Sequence, residues 1–136
     1  MVKPIVRDAF FLNQKSEEAT KVDLPVAQDL EDTLKANRER CVGMAANMIG
    51  YRKRIIIVAT GLADMVMINP VITEKSEPYE TEEGCLSLPG VRKTTRFHKI
   101  TVRYLDRKFA EHTQSFSGYI AQIIQHECDH LEGILI

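Results

Sequence analysis

The apolar positions near the two ends of the chain recur at helical intervals. Between Asp23 and Arg40 they follow an acidic N-cap residue and a proline in the first turn, which predicts a helix that stops at residues 41–43. Between Gly118 and Gly133, apolar side chains again recur at steps of three and four residues. The pattern therefore predicts one helix near each end of the chain.

In the middle of the chain the apolar positions change to the spacing of β-strands. Two short apolar runs, residues 55–59 and 65–68, are joined by the turn-forming residues 61–64, which predicts a β-hairpin. Ile100, Val102 and Tyr104 occupy every second position, as expected for a strand with one buried face. We therefore expect an α+β fold in which antiparallel strands pack around the C-terminal helix.

Composition narrows the class of protein. The 136 residues are 44% hydrophobic and 27% charged, and no repeat or linker divides them, so we expect one soluble domain spanning residues 1–136. The 18 basic residues nearly balance the 19 acidic ones, so neither a nucleic acid nor a membrane is an expected partner. No apolar run reaches the roughly 18 residues that span a bilayer, and no signal peptide is recognisable, which favours a cytoplasmic protein.

A basic segment covers residues 92–108. It contains seven lysines and arginines against a single acid, Asp106. Because a strand with one buried face carries polar side chains on the other, we expect this segment to be a solvated strand face. A docking patch for an acidic partner is the alternative interpretation.

The predicted C-terminal helix contains the pattern H-E-x-x-H. His126 and His130 lie four residues apart, so both rings project from the same helical face within reach of one metal ion. The intervening Glu127 can act on a water molecule at that ion. The alternative is a pair of exposed surface histidines, which the neighbouring apolar stripe disfavours.

A hydrolytic metal site usually has three protein ligands and one open position. Ile136 stands where a metzincin would place its third histidine, and only six residues follow His130, so we expect the third ligand upstream. Cys128 lies on the wrong side of the helix to join the two histidines. The upstream candidates are assorted carboxylates and Cys41, Cys85, His98 and His112.

Cys85 is the most informative of these candidates. It lies within residues 83–90, where small residues and a Pro-Gly turn let the backbone approach a ligand closely. The chain has three cysteines, an odd number that is too small and too scattered for a disulfide scaffold, so at least one thiol is free for metal or catalytic chemistry. Taken from the residues alone, Cys85 fits a metal ligand and a small buried hydrophobe equally well.

Three separated segments of the chain resemble the motifs of the peptide deformylases, which remove the N-formyl group from new bacterial polypeptides. Residues 43–50 are similar to the first motif, residues 83–87 to the second and residues 125–133 to the third. The order and spacing of the segments also agree, including Arg92 and Arg96, so the resemblance covers most of the chain. It implies a peptide-deformylase-like fold around the H-E-x-x-H helix.

The resemblance also implies a set of site residues. Cys85, His126 and His130 would hold one divalent metal ion, typically Fe²⁺, with Zn²⁺, Ni²⁺ or Co²⁺ as substitutes. Glu127 would act as general base and then as general acid in amide hydrolysis. The backbone N–H of Leu86 would stabilise the oxyanion. Asp129 is not needed as a ligand, and a salt bridge to Arg96 or plain exposure would account for it.

The implied substrate is the N-terminal formyl-methionine of a nascent polypeptide. Gly43, Met48 and Leu86 would contact it. The implied partners are therefore an N-formylated peptide or nascent chain and the ribosome surface, and the implied role is N-terminal processing in protein biosynthesis.

The chain departs from the family pattern in its first motif. Met48 stands where the family has a glutamine that donates a second hydrogen bond to the oxyanion, and a thioether has no N–H to donate. Removing one such donor typically costs about 2.7 to 4 kcal/mol. Asn47 is one residue out of place to substitute for it, and Cys41 stands where the motif usually begins with glycine. The sequence given also ends at Ile136, just past the predicted helix, so we expect little or none of the tail that many members carry.

These departures leave two main hypotheses. In the first, the chain is a metallohydrolase of the deformylase type whose activity is reduced or altered by Met48. In the second, it is a non-catalytic homologue that binds metal and peptide. A purely structural metal site with a fourth protein ligand is a further alternative. The presence of Glu127 favours the enzyme, because a protein without catalysis has little need for it.

Overall fold

Five antiparallel strands form one sheet in the computed structural model, which describes residues 1–136. The strands are β1 (Gly43–Ala45), β2 (Ile55–Ala59), β3 (Asp64–Cys85), β4 (Leu88–Leu105) and β5 (Glu111–Ser117). Their order in the sheet follows their order in the chain. The helices are α1 (Ala9–Leu12), α2 (Leu24–Ala36) and α3 (Gly118–Leu131). This arrangement confirms the expected α+β fold with antiparallel strands around a C-terminal helix.

The predicted hairpin is present, and its second strand is far longer than the apolar pattern suggested. As expected, β2 pairs with β3, from the pair Ala59 and Asp64 next to the turn to the pair Ile55 and Ile68. β3 then continues beyond Ile68 and pairs with β4 along a second, much longer hairpin. This hairpin closes at the pair Cys85 and Leu88, so the turn that carries Cys85 is held at the end of two long strands.

Helix α2 ends at Ala36, four residues before the predicted end at Arg40. The backbone leaves the helical conformation at Asn37, with φ −116° and ψ 19°, and the Asn37 side-chain Nδ2 donates to the Thr33 carbonyl at 2.8 Å. Asp23 precedes the helix as predicted, but its carboxylate accepts from the Thr20 backbone N–H at 2.9 Å and does not cap the helix. None of the helices has the length and hydrophobicity needed to cross a membrane.

The hydrophobic core lies between the helices and one face of the sheet. Ile100, Val102 and Tyr104 are buried in it, which confirms the inward face predicted for this strand. Helix α3 contributes Ile124 and Leu131, both fully buried. This packing fixes α3 against the sheet and thereby fixes the face that carries the two histidines.

The basic segment departs from the prediction at one position. Arg96 is only 4% exposed, although we expected the whole segment to be solvated. Its guanidinium is paired with the carboxylates of Glu83 and Asp129, which offset the cost of burying a charge. Lys93, Lys99 and other basic residues of the segment remain exposed.

Candidate metal centre and active site

Three side chains converge where the β3–β4 turn meets α3. The Nε2 atoms of His126 and His130 are 3.2 Å apart, as expected for rings one helical turn apart on the same face. The Sγ atom of Cys85 lies 3.3 Å from Nε2 of His130. The three ligand atoms all lie within 4.8 Å of one another. The fold therefore brings together one sulfur and two ring nitrogens that are distant in sequence.

The other histidine candidates lie elsewhere. His98 is exposed and stacks on the ring of Tyr79, with the ring centroids 4.0 Å apart. His112 contacts the Asp106 carboxylate through Nε2 at 2.7 Å. Neither histidine belongs to the converging group.

Cys41 lies near the site without joining the group. Its thiol donates to the Gly43 carbonyl at 2.7 Å, and it lines the same cleft as Cys85. Burial raises the pKa of the Cys41 thiol to about 12, with the Glu127 charge adding to the effect. Cys41 therefore keeps its proton at neutral pH in the metal-free protein, and its sulfur is not among the converging ligand atoms.

Glu83 holds His126 in place. Its Oε1 atom accepts from Nδ1 of His126 at 2.8 Å, which leaves Nε2 facing Cys85 and His130. Arg96 donates to both oxygens of Glu83 and also to Asp129, and Gln122 donates to the second Glu83 oxygen. Such a partner on the second ring nitrogen fixes the tautomer and orientation of a metal-binding histidine. The salt bridge between Asp129 and Arg96, one of the two expected alternatives, is present.

The environment separates the protonation states of the two histidines. Burial lowers the pKa of His130 to about 3, and the neighbouring His126 adds to this effect, so the His130 ring is neutral. Burial alone would lower the pKa of His126, but hydrogen bonds with Cys85 and Glu83 outweigh it and raise that pKa to about 10. A metal ion at the site therefore has to displace a proton from the metal-free protein.

Glu127 lies on the same helix and beside the same cleft. It is 4% exposed, and its Oε1 atom has no hydrogen-bond partner within the protein. Burial raises the pKa of Glu127 to about 7. A carboxylate with a pKa near neutrality and an unpaired oxygen can both accept and return a proton.

The cleft beside these residues has a volume of about 490 Å³. The predicted substrate contacts Gly43, Met48 and Leu86 all line it. A side chain at residue 43 would not fit, because a Cβ atom there would lie 2.6 Å from Cγ2 of Ile123 and 3.0 Å from Oε2 of Glu127. The glycine thus lets strand β1 approach the carboxylate of Glu127 closely.

Neither Met48 nor Asn47 provides the amide donor that the family has in its first motif. Met48 is buried, and its sulfur takes a long contact of 3.5 Å from the Ala45 backbone N–H. The Asn47 side chain donates to the His130 carbonyl at 3.0 Å, so it is engaged with α3. Asn47 therefore does not replace the missing glutamine, as expected from its position in the sequence.

The turn that carries Cys85 is held from two sides. The Ser87 backbone N–H donates to Sγ of Cys85 at 3.4 Å, which holds the sulfur from within the turn. Arg7 donates from outside the cleft to the Leu86 carbonyl at 2.9 Å. Leu86 itself is half-buried at the cleft, next to the sulfur.

One sulfur and two imidazole nitrogens are a donor set that suits zinc or iron. The unpaired carboxylate of Glu127 beside the open cleft fits a catalytic ion better than a structural one, for which a fourth protein ligand would be expected. Fold and site together define the class of metal-dependent hydrolases.

Comparison with known proteins gives the family. The family model described as polypeptide deformylase matches residues 2–136. A peptide deformylase from Clostridium beijerinckii is 62% identical over 136 residues, which is 100% of both chains. Among solved structures, peptide deformylase from Thermotoga maritima superimposes with a TM-score of 0.89 at 30% identity, covering 99% of this chain and 95% of that one. A class I type b peptide deformylase from Acinetobacter baumannii with Met-Ala-Ser bound gives a TM-score of 0.88 at 32% identity, covering 99% and 97%.

The chain belongs to the peptide deformylase family. Its activity is that of a peptide deformylase, the hydrolytic removal of an N-terminal formyl group, and the non-catalytic alternative is not favoured. Members of the family are metalloenzymes, which supports a divalent metal ion as the cofactor.

Sequence reasoning missed the residues that support the histidines. Glu83 was noted only as part of a motif, and an acidic residue two positions before Cys85 is the sequence signal that could have identified it. Its burial is visible only in the structure. Gln122 gave no signal at all, because a polar residue on an amphipathic helix is ordinary. Its contact with Glu83 depends on two elements whose packing the sequence does not reveal.

Proposed function

We propose that Cys85, His126 and His130 hold Fe²⁺ and that Glu127 is the general base and acid for removal of the formyl group from formyl-methionine. The observation that carries this proposal is the convergence of the three ligand atoms within 4.8 Å, beside a buried carboxylate with an unpaired oxygen. Zn²⁺, Ni²⁺ and Co²⁺ suit the same donors, so the choice of Fe²⁺ rests on the family resemblance.

When bound, the divalent ion supplies a Lewis acid that acidifies water and polarises the formyl carbonyl. Glu127 takes a proton from the attacking water at the Oε1 atom that has no partner in the protein. The same carboxyl then gives the proton to the leaving amine nitrogen, and formate is released. A pKa near 7 suits both steps at neutral pH.

The remaining contacts position the substrate. The backbone N–H of Leu86 would donate to the oxyanion that forms on the formyl oxygen. Gly43 would let the substrate backbone approach the carboxylate of Glu127, and Met48 would form an apolar part of the cleft wall. Because the Met48 thioether has no N–H, the oxyanion has one donor fewer than in the family pattern.

We propose that the substrate is a nascent polypeptide with N-terminal formyl-methionine. The Acinetobacter baumannii relative is known with Met-Ala-Ser bound, a tripeptide that begins with methionine, which supports a peptide of this kind as the ligand. The nascent chain emerges from the ribosome in the cytoplasm, so we infer that the protein works there, at or near the ribosome surface. Residues 1–136 would act as one domain.

Formate release from a formyl-Met-Ala-Ser peptide tests these roles. The protein is loaded with Fe²⁺ without oxygen, so that the Cys85 thiolate is protected. We expect turnover by the wild-type chain and at least a hundred-fold loss for Glu127→Gln, which keeps the size of the side chain but removes its basicity. Metal content of both proteins, measured in parallel, should be equal, because Glu127 is not a ligand.

Glu132→Gln is the control for Glu127→Gln, and two results would contradict the proposed roles. Glu132→Gln changes an exposed acid of the same helix end that pairs with Arg54, and it should leave the rate unchanged. If Glu127→Gln retains most of the activity, the assignment of the base is wrong. If the wild-type protein binds metal but releases no formate, the proposed function is wrong.

A further inference from the structure

Gln122 lies one helical turn before His126, on the same face of α3. Its Nε2 atom donates to Oε2 of Glu83 at 2.9 Å. The same side chain lines the cleft next to Glu83 and His126. Gln122 therefore borders the space that the substrate enters and also contacts the carboxylate that holds a proposed metal ligand.

The two oxygens of Glu83 have partly different donors. Oε1 accepts from Nδ1 of His126 at 2.8 Å and from Nη2 of Arg96 at 2.7 Å. Oε2 accepts from Nε of Arg96 at 3.0 Å and from Gln122. Arg96 donates to both oxygens, its Nε also lying 3.2 Å from Oε1, whereas His126 and Gln122 each donate to one oxygen only. Without Gln122, Oε2 keeps a single protein donor.

A carboxylate can rotate when one of its two oxygens accepts fewer hydrogen bonds than the other. Rotation of the Glu83 carboxylate would lengthen the contact with His126 and release the ring from its fixed orientation. Partners of this kind on metal-binding histidines have large effects, and their loss typically costs about 10- to 100-fold in metal affinity or activity.

We propose that Gln122 is a positioning residue of the deformylase reaction. Its amide holds the Glu83 carboxylate in the orientation that keeps Nε2 of His126 directed at Cys85 and His130. The inference rests on the proposed function, because it requires His126 to be a metal ligand. It adds a residue that acts through Glu83 and does not touch the ion.

Two substitutions separate hydrogen bonding from shape. Gln122→Met has a similar length and removes the N–H donor, whereas Gln122→Glu keeps the size and turns an acceptor toward Glu83. We measure the affinity for Co²⁺ by competition with a chelator and record the visible spectrum of the cobalt protein. The affinity should fall about tenfold for Gln122→Met and further for Gln122→Glu, and the visible bands should shift in both. In the iron-loaded protein kcat should fall, while KM changes little.

Gln28 provides a matched control. It donates to Oδ1 of Asp32 over the same distance, 2.9 Å, on the exposed side of α2 and away from the cleft. Gln28→Met should therefore leave cobalt affinity, spectrum and turnover unchanged.

The result that would overturn the proposal is a cobalt affinity and spectrum of Gln122→Glu equal to those of the wild type. A change in KM alone in both variants would also overturn it, because Gln122 would then be only a part of the cleft wall. The cobalt measurements do not need turnover. A wild-type protein that binds cobalt and releases no formate would therefore end the proposed function, while the cobalt comparison would still decide on Gln122.

Discussion

Met48 is the residue that most directly sets the chemistry of this chain apart from its family pattern. Its thioether is buried and lines the cleft, where an amide would offer an N–H to the oxyanion. A glutamine side chain has nearly the same length as methionine, so it fits the same space. The rate of formyl hydrolysis should therefore be limited by one absent hydrogen bond.

We predict that Met48→Gln raises kcat for formyl-Met-Ala-Ser at least tenfold. The upper bound is about a thousand-fold, the usual worth of one oxyanion donor. The measurement is formate release by the iron-loaded variant beside the wild type. Met65→Gln, the same change in a half-buried position of β3 outside the cleft, should have no such effect. An unchanged or lower rate in Met48→Gln would show that the chain does not depend on a second side-chain donor.

At the residue scale, the sequence predicted the residues that would bind the metal and the substrate better than the residues that hold them in place. The spacing of His126 and His130 follows from helix geometry alone, and the departure at Met48 is visible once the motif is recognised. Burial of Arg96 could not be predicted, because an arginine within a basic strand segment is ordinarily solvated. It is buried because Glu83 and Asp129 approach it from two other elements.

At the scale of elements, the ion pair between β3 and α3 makes the stability of the metal-free protein depend on pH. Burial alone would raise the pKa of the Glu83 carboxyl, but hydrogen bonds from His126, Arg96 and Gln122 outweigh it and lower that pKa from 4.5 to about 2. The contribution of Glu83 is therefore present above pH 4.5 and is lost as the pH falls toward 2. His126 has a pKa raised from 6.5 to about 10, so its contribution is present below pH 6.5 and is lost as the pH rises toward 10. The pair stabilises most between these limits.

We therefore predict that the metal-free protein gains most from this pair near pH 5.5. Urea unfolding of the wild type and of Glu83→Gln at pH 3, 5.5 and 9 measures the contribution as the difference in unfolding free energy. The difference should be about 2 to 3 kcal/mol at pH 5.5 and smaller at both other values. A difference that is constant with pH would contradict the charged pair.

The helices and the central strands were predictable because each of them has one buried face and one exposed face. Apolar residues repeat along α3 with the helical period, and Ile100, Val102 and Tyr104 mark the inner face of β4. The extension of β3 and β4, and strand β5, were missed for the opposite reason. All but one residue of β5 are exposed, and the outer part of β3 is rich in acids, so neither has an alternating apolar pattern. Pairing of the backbones defines these strands.

At the scale of the whole molecule, the site joins the end of a long hairpin to the last helix. Cys85 is the last residue of β3 and the histidines come from α3, so a bound ion would tie two distant parts of the chain together. No composition or periodicity predicts that contact. It became an expectation only through the family resemblance, because three motifs in a fixed order imply one common site.

Removal of the metal should lower the thermal stability of the whole chain. An ion that binds the folded state alone adds about 2.7 kcal/mol at a hundred-fold excess over its dissociation constant, or about 5 to 10 °C in melting temperature for a chain of this size. Calorimetry without oxygen, with and without a chelator, measures the shift. In Cys85→Ala the chelator should have a much smaller effect, because one ligand is gone. Equal shifts in both proteins would mean that the stabilising ion binds elsewhere.

We propose that one thiolate and two imidazoles bind a single ion and leave a position open for water. X-ray absorption at the zinc edge of the zinc-loaded protein tests it most directly. We predict one sulfur neighbour at about 2.3 Å, two nitrogens at about 2.0 to 2.1 Å and at least one oxygen from water. Two sulfurs, no sulfur or a fourth protein ligand in place of the water would contradict it.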